Sequence, residues 1–302
     1  FNGFALQHPN KTFNLILNDI SPDRLCIITT IINDYVGVKA QNINIVTRNL
    51  DVNAFLSDEK FFVQYFNCYP KRSANLVFVD PYNFCTVKIS VLEKFLSKAY
   101  CELIFNIFTS DFVRNQDKEK MKKFCKEENI FCTTKEAMVL QITSQLKVGY
   151  IKYSFAYEFK TITNMELYQI MFFTPNIKGL EKLKEALWDT FNGKEFHRNQ
   201  ARQDAEQMSL FSQDDEKDWR IESHSAVAKE LLLAHFPNDN EIEYIAIEEF
   251  VIENTMLNEN QILEHVLKPL IQNGQVKKLG YVNRSSNYKK DKYIVGVVDN
   301  ED

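Results

Sequence analysis

Along the first 190 positions, apolar residues fall into two alternating kinds of segment. Phe13–Ile20 (FNLILNDI) is a short, almost continuous apolar run that ends in polar residues, which predicts a strand buried on both faces of a parallel sheet. Ser21 and Pro22 then supply an N-cap and a first-turn proline. They predict a helix running through Leu25, Ile28, Ile31, Ile32 and Tyr35 and stopping near Gly37. The alternation continues with a strand at Ile43–Thr47, a helix at Val52–Gln64 and a strand at Asn75–Asp80 broken by Pro81. An amphipathic helix at Ile89–Ala99, a strand at Cys101–Phe108 and a charged helix at Asp117–Glu128 come next. Alternation at this spacing predicts right-handed βαβ units and a doubly wound α/β sheet.

Val148–Phe159 and Leu167–Thr174 break the rhythm, because only a polar turn at 161–164 separates them. They predict an antiparallel hairpin closing the parallel sheet, a feature of class I methyltransferase folds, with one more helix at Gly179–Phe191. From Asn192 to Glu222 the composition turns to Gln, Asp, Asn, Glu and Ser, which predicts a linker. Beyond it come helices at Ala226–Phe236, Ile245–Asn254 and Glu259–Asn273. The last is capped by Gly274 and kinked or frayed at Pro269. Strands at Val276–Tyr281 and Lys292–Val298 flank a polar, basic loop, and three helices with a two-stranded ribbon predict a winged helix-turn-helix. The reading is therefore a Rossmann-like class I methyltransferase domain over residues 1–191, a linker over 192–222 and a winged-helix domain over 223–302.

With 302 residues, 45% of them hydrophobic, the chain can bury sizeable cores, and pervasive disorder is excluded. A net charge of -5 confines any nucleic-acid binding to a local basic patch. The six cysteines form no C-x-x-C pair and sit mostly in apolar segments, which points to a reducing compartment. No apolar run reaches bilayer length and no secretory signal is visible, so the expected location is the cytoplasm, away from membranes. His8, His197, His224, His235 and His265 are never spaced with Cys or Asp as metal ligands, so no metal site is expected.

Open α/β sheets bind ligands beyond the carboxyl ends of their strands, which directs attention to the residues there. Asp19 either accepts hydrogen bonds from ribose hydroxyls or starts the turn before Ser21. Asn49 and Asp51 either accept from an adenine amine or form an Asx-type turn into the next helix. Asp80, Pro81 and Tyr82 place a carboxylate, a rigid carbonyl and a ring at the mouth of the crevice. In amino-group methyltransferases a related Asp/Asn-Pro-Pro-Tyr/Phe segment holds the target amine while the ring stacks on the flipped base; the single proline here departs from that pattern, and an ordinary turn is the other reading. Lys277, Lys278, Arg284, Lys289, Lys290 and Lys292, interleaved with Tyr281 and Tyr288, could meet phosphates. Against this, Glu259, Gln261, Glu264, His265 and Lys268 suit a major groove poorly, and winged helices also bind proteins.

Four stretches together resemble one family: Asn18–Pro22, Phe78–Asn83, Cys101–Asn106 and, most specifically, Phe172–Trp188 (FFTPNIKGLEKLKEALW). The chain resembles the three-Cys-motif partner proteins, a bacterial family with a methyltransferase-like domain and a C-terminal winged helix. The resemblance implies S-adenosylmethionine as cofactor, a neighbouring partner with an iron-sulfur type cysteine motif, and a mobile-element or phage-defence setting. The glycine loop with which the family opens has no counterpart in the sequence; it is expected before Phe1, with residues 2–7 (NGFALQ) as the remnant of the segment just after it. Two functions result. One is an S-adenosylmethionine-dependent methyltransferase acting on or bound to nucleic acid. It has Asp19 on the ribose, Asn49 or Asp51 near the adenine, and Asp80, Pro81 and Tyr82 at the acceptor. The other is a non-catalytic DNA- or protein-binding partner of an iron-sulfur protein.

Overall fold

The computed structural model describes residues 2–35, 41–66, 73–161, 166–198, 213–236, 241–279 and 291–296. Helix α1 (Asn2–Gln7) lays Ala5 against Phe13, Ile43 and Ile45, and the Asn42 amide shares its hydrogens among the carbonyls of Ala5, His8 and Lys11. Strand β1 (Phe13–Asn18), helix α2 (Pro22–Tyr35) and strand β2 (Ile43–Arg48) follow, the strands pairing in parallel from Phe13↔Ile43 to Asn18↔Arg48. Contrary to the expectation from its apolar run, β1 has no fully buried residue, because among the described residues it pairs only with β2. The single helix expected over 52–64 is two, α3 (Val52–Leu56) and α4 (Glu59–Tyr65). Asp58 opens the second by accepting from the amides of Lys60 and Phe61 at 3.0 and 3.1 Å.

Strand β3 (Leu76–Val79), helix α5 (Ile89–Leu96) and strand β4 (Glu102–Ile107) form a parallel βαβ unit. Three helices come next, α6 (Thr109–Asn115), α7 (Glu119–Glu127) and α8 (Lys135–Leu146), of which the sequence pattern revealed only the second. The hairpin of β5 (Tyr153–Lys160) and β6 (Glu166–Thr174) then joins the sheet with β6 antiparallel to both β4 and β5. Its first strand starts later than Val148 because residues 147–152 turn, with Gly149 at φ +60 and pressed against the backbone of Leu96 and Ser97. Helix α9 (Ile177–Phe191) leads to β7 (Phe196–Arg198), which adds parallel to β5, so the hairpin does not end the sheet. The strand order is β3-β4-β6-β5-β7. The protein is thus mixed α/β, with parallel and antiparallel pairing in one sheet.

The segment expected as a linker contains β7 and the start of α10 (Gln213–His235), which begins well before Glu222. Then come β8 (Glu241–Glu243), α11 (Tyr244–Asn254), α12 (Glu259–Ile262), a π-helical turn (Leu263–Leu267) and α13 (Lys268–Gln272). The widened turn is where the expected kink falls: Pro269 has no N–H to give the carbonyl of His265, and the wider turn makes room for its ring. Strands β9 (Val276–Leu279) and β10 (Lys292–Val295) complete a three-stranded antiparallel sheet, β8-β10-β9. Among the described residues no helix is long and apolar enough to cross a membrane.

Two apolar clusters hold these layers together. One lies between the inner face of the five-stranded sheet (Leu103, Phe105, Ile107, Phe173) and Leu92, Leu96, Phe112, Met138, Ile142 and Leu146 of the covering helices. The other begins on the opposite face with Phe172, passes through Leu180 of α9, and runs without a break into Ile247, Val251, Ile262 and Leu270. It puts α9 in the middle of one core rather than at the end of a separate body.

Candidate functional site at the strand ends

The loops that leave β1, β2 and β3 are stitched to one another. Asn49 donates its amide to the carbonyls of Asp19 and Ile20 at 2.8 and 2.9 Å, and Asn18 donates to the carbonyl of Leu50 at 3.0 Å. Asn53, in the first turn of α3, donates to the carbonyl of Thr86 at 3.0 Å and accepts from the amide of Lys88 at 2.8 Å. Backbone groups after β1 and β2, and those just before α5, are thereby satisfied by short polar side chains, which ties the three loops together.

Each carboxylate on this rim serves the fold with one oxygen. Asp19 Oδ1 accepts from the amide of Ser21 at 2.7 Å, and Asp51 Oδ1 caps α3 by accepting from Asn53 and Ala54 at 2.9 and 3.3 Å. Asp80 Oδ1 accepts from the Asn106 amide at 2.8 Å. The second oxygens differ: Asp19 Oδ2 lies 3.4 Å from the Arg24 guanidinium, while those of Asp51 and Asp80, both exposed residues, accept no hydrogen bond among the described residues. Pro81 is buried, and Tyr82 stands 65% exposed with the Arg24 guanidinium carbon 4.6 Å above its ring centre. Arg24 therefore touches the residue that ends β1 and the ring that follows β3, and brings Asp19 and Tyr82 to one place.

Sequence reasoning missed Arg24 and Asn106. Asn106 sits on β4 beside Asp80, as the β3–β4 register dictates, and its side chain must turn Nδ2 toward the carboxylate. That leaves Asn106 Oδ1 buried with no hydrogen-bond partner. Burial, and behind it the charge of Asp80, raises the Tyr168 phenol above its ordinary range, which places Asp80 within electrostatic reach of β6. No family model, curated protein or solved structure matches this chain.

Elsewhere, Lys277 and Lys278 lie on β9 and Lys292 on β10, while Arg284, Lys289 and Lys290 fall outside the described residues. Lys278 pairs with Asp291 at 2.5 Å and Lys292 with Glu241 at 2.7 Å, so part of the basic charge is neutralised within the fold. A concavity bordered by Phe191, His197, Trp219 and His224 lies between the end of α9, β7 and α10, away from the strand ends. His224 is buried there with Nε2 2.7 Å from the carbonyl of Gly193. Carboxylate oxygens of Glu181, Glu248 and Glu259 lie within 4.8 Å of one another, and Lys178 bridges the first and last. Nothing in the spacing of these residues along the chain pointed to that trio.

Side chains of α9 form a clasp on the C-terminal helices. Lys184, fully buried on α9, donates to the carbonyls of Ile252 and Thr255 and lies 4.2 Å above the Phe155 ring. Lys178 reaches Glu259 at 2.8 Å, and Trp188 donates its indole N–H to the carbonyl of Met256. From the sheet side, Tyr153 donates to Glu249 at 2.8 Å and Glu253 accepts from the amide of Ser154 at 3.1 Å.

Proposed function

We propose that the protein binds a nucleoside-containing ligand across the ends of β1, β2 and β3 and acts as an S-adenosylmethionine-dependent methyltransferase on nucleic acid. In this reading the elements through β7 are a Rossmann-like class I methyltransferase domain and the C-terminal helices with their three-stranded sheet are a winged helix. The observation that carries it is the single guanidinium of Arg24 in contact with both Asp19 and Tyr82, which makes the ends of β1 and β3 one rim.

The donor set suits such a ligand. A ribose diol offers two hydrogens, and a carboxylate can accept both. In this reading Asp19 takes that role, with the remaining lone pairs of oxygens that also meet the Ser21 amide and Arg24. Asp51, with one oxygen left over, can take the adenine amine, whereas the Asn49 amide is committed to backbone carbonyls. Asp80 retains an oxygen for an acceptor amine, Pro81 holds the turn, and the exposed Tyr82 ring can stack on a base. S-adenosylmethionine, when bound, supplies the methyl group on a sulfonium that leaves as a neutral thioether. The protein's residues need only orient and exclude water, and positioning accounts for most of the work. Calorimetry with S-adenosylmethionine tests this. Binding that weakens tenfold or more in Asp19→Ala supports it; absence of heat in the unaltered protein, or equal affinity in the variant, removes it.

A second reading, a non-catalytic DNA- or protein-binding partner of an iron-sulfur protein, draws on the fact that Asp19, Asn49 and Asp51 all serve as turn and cap residues here. A gel shift across a salt series with Lys277, Lys289 and Lys290 changed to Glu tests the DNA contact, and the calorimetry above separates the two readings. A salt-dependent shift lost in the variant, with no heat from S-adenosylmethionine, favours the binding module; a shift indifferent to the changes argues against these lysines as the contact.

A further inference from the structure

We propose that Glu181, Glu248 and Glu259 form a site for one hard divalent cation, calcium in kind, that staples α9 to α11 and α12. A carboxylate oxygen from each of the three lies within 4.8 Å of the others. That span is about twice the roughly 2.3–2.6 Å at which calcium holds an oxygen, so one ion between them reaches all three. Glu181 comes from the second turn of α9, Glu248 from the middle of α11 and Glu259 from the first position of α12.

Burial separates this trio from an ordinary acidic surface patch. Glu181 and Glu248 are 4% and 1% exposed, and their chain neighbours Leu180 and Ile247 belong to the second apolar cluster. Taking a carboxylate out of water is costly unless opposite charge or hydrogen bonds replace the water. Lys178 supplies part of that charge, its ammonium 2.5 Å from Glu181 Oε2 and 2.8 Å from Glu259 Oε2. The other Glu181 oxygen, Oε1, is buried and accepts no hydrogen bond among the described residues. A buried carboxylate oxygen with nothing to accept, set beside two further carboxylates, calls for a cation.

The same geometry shows how an ion enters and which ion fits. The Lys178 side chain is 54% exposed, so its stem can swing the ammonium into water and release both oxygens. Carboxylate oxygens suit hard cations. Two buried glutamates leave little room for the several waters that magnesium keeps, whereas calcium accepts a cage made mostly of protein oxygens. The site joins α9 to the C-terminal helices, away from the strand-end rim, and is independent of the nucleoside reading.

The test uses calcium chloride as the probe on the whole protein, freed of metal with a chelator. Calorimetry should show one calcium per chain, and saturating calcium should raise the melting temperature by about 3 °C or more. Potassium chloride at equal ionic strength should not. Lys178→Met should bind calcium roughly two- to fivefold more tightly, because a surface ion pair no longer competes. Glu181→Gln and Glu259→Gln should each bind at least about tenfold more weakly, and magnesium should bind the unaltered protein about tenfold more weakly than calcium. Glu259 is only partly buried, so its variant keeps the test decisive where the Glu181 change prevents folding. The site is overturned by absence of calcium heat in both the unaltered protein and Lys178→Met, by an equal thermal gain with potassium, or by undiminished binding in Glu259→Gln. Magnesium binding as tight as calcium's overturns the calcium assignment.

Discussion

The indole N–H of Trp188 donates to the carbonyl of Met256 at 2.7 Å, joining α9 to the loop that follows α11. Replacing Trp188 by Phe keeps most of the ring and leaves the buried carbonyl without a donor, a loss of about 1–3 kcal/mol. Because the second apolar cluster runs through α9 into the C-terminal helices, unfolding should be one transition. Urea denaturation followed by circular dichroism and by Trp219 fluorescence checks both points; two separated transitions would contradict the shared core.

Lys184 carries a pH signature. Complete burial, opposed by the charge of Glu253, holds its ammonium well below the ordinary lysine range. The unfolded chain therefore binds this proton more tightly than the folded one, and the group's contribution to stability rises with pH until the ordinary lysine value is passed. In Lys184→Met the difference in unfolding free energy from the unaltered protein should change with pH across the range below about 10. A pH-independent difference would show that the amine titrates normally.

Gly149 tolerates no side chain. Its φ of +60 is compounded by the carbonyl oxygens of Ser97 and Leu96, which would lie 2.7 and 2.8 Å from an added Cβ. Gly149→Ala should cost more than about 2 kcal/mol by thermal or urea unfolding. A loss under half that value would mean that the turn before β5 shifts freely.

Strand β3 shows Leu76 and Phe78 more than 60% exposed on one face, and among the described residues its outer edge is unpaired. Such an edge is a template for other chains. Phe78→Ser should leave stability within about 0.5 kcal/mol, since the ring already faces water, and should reduce self-association. Sedimentation at rising concentration decides; identical, monomeric behaviour of both proteins would refute it.

Strands β2 to β6 were legible where apolar runs were short and bounded by turn residues, as in Asn75–Asp80 and Leu167–Thr174. Helix α8 was not, because its apolar residues include an exposed Leu140 as well as buried Met138, Ile142 and Leu146, which blurs the helical period, although Thr134 does cap it. The opening turns of α10 looked like linker for want of apolar residues. Asp19, Asp80 and Tyr82 could be picked out by their position at strand ends. Arg24 and Asn106 could not, since an arginine in a first helical turn and an asparagine inside a strand gain meaning only from what the fold sets beside them.

The placement of α9 between two layers has a practical side. Cutting the polypeptide after Phe191 would strip cover from Phe172 and Leu180 and leave Lys184 without its carbonyls. Such a fragment should precipitate when produced alone, and efforts to assign activities to halves of this molecule are better made with point substitutions than with scissors.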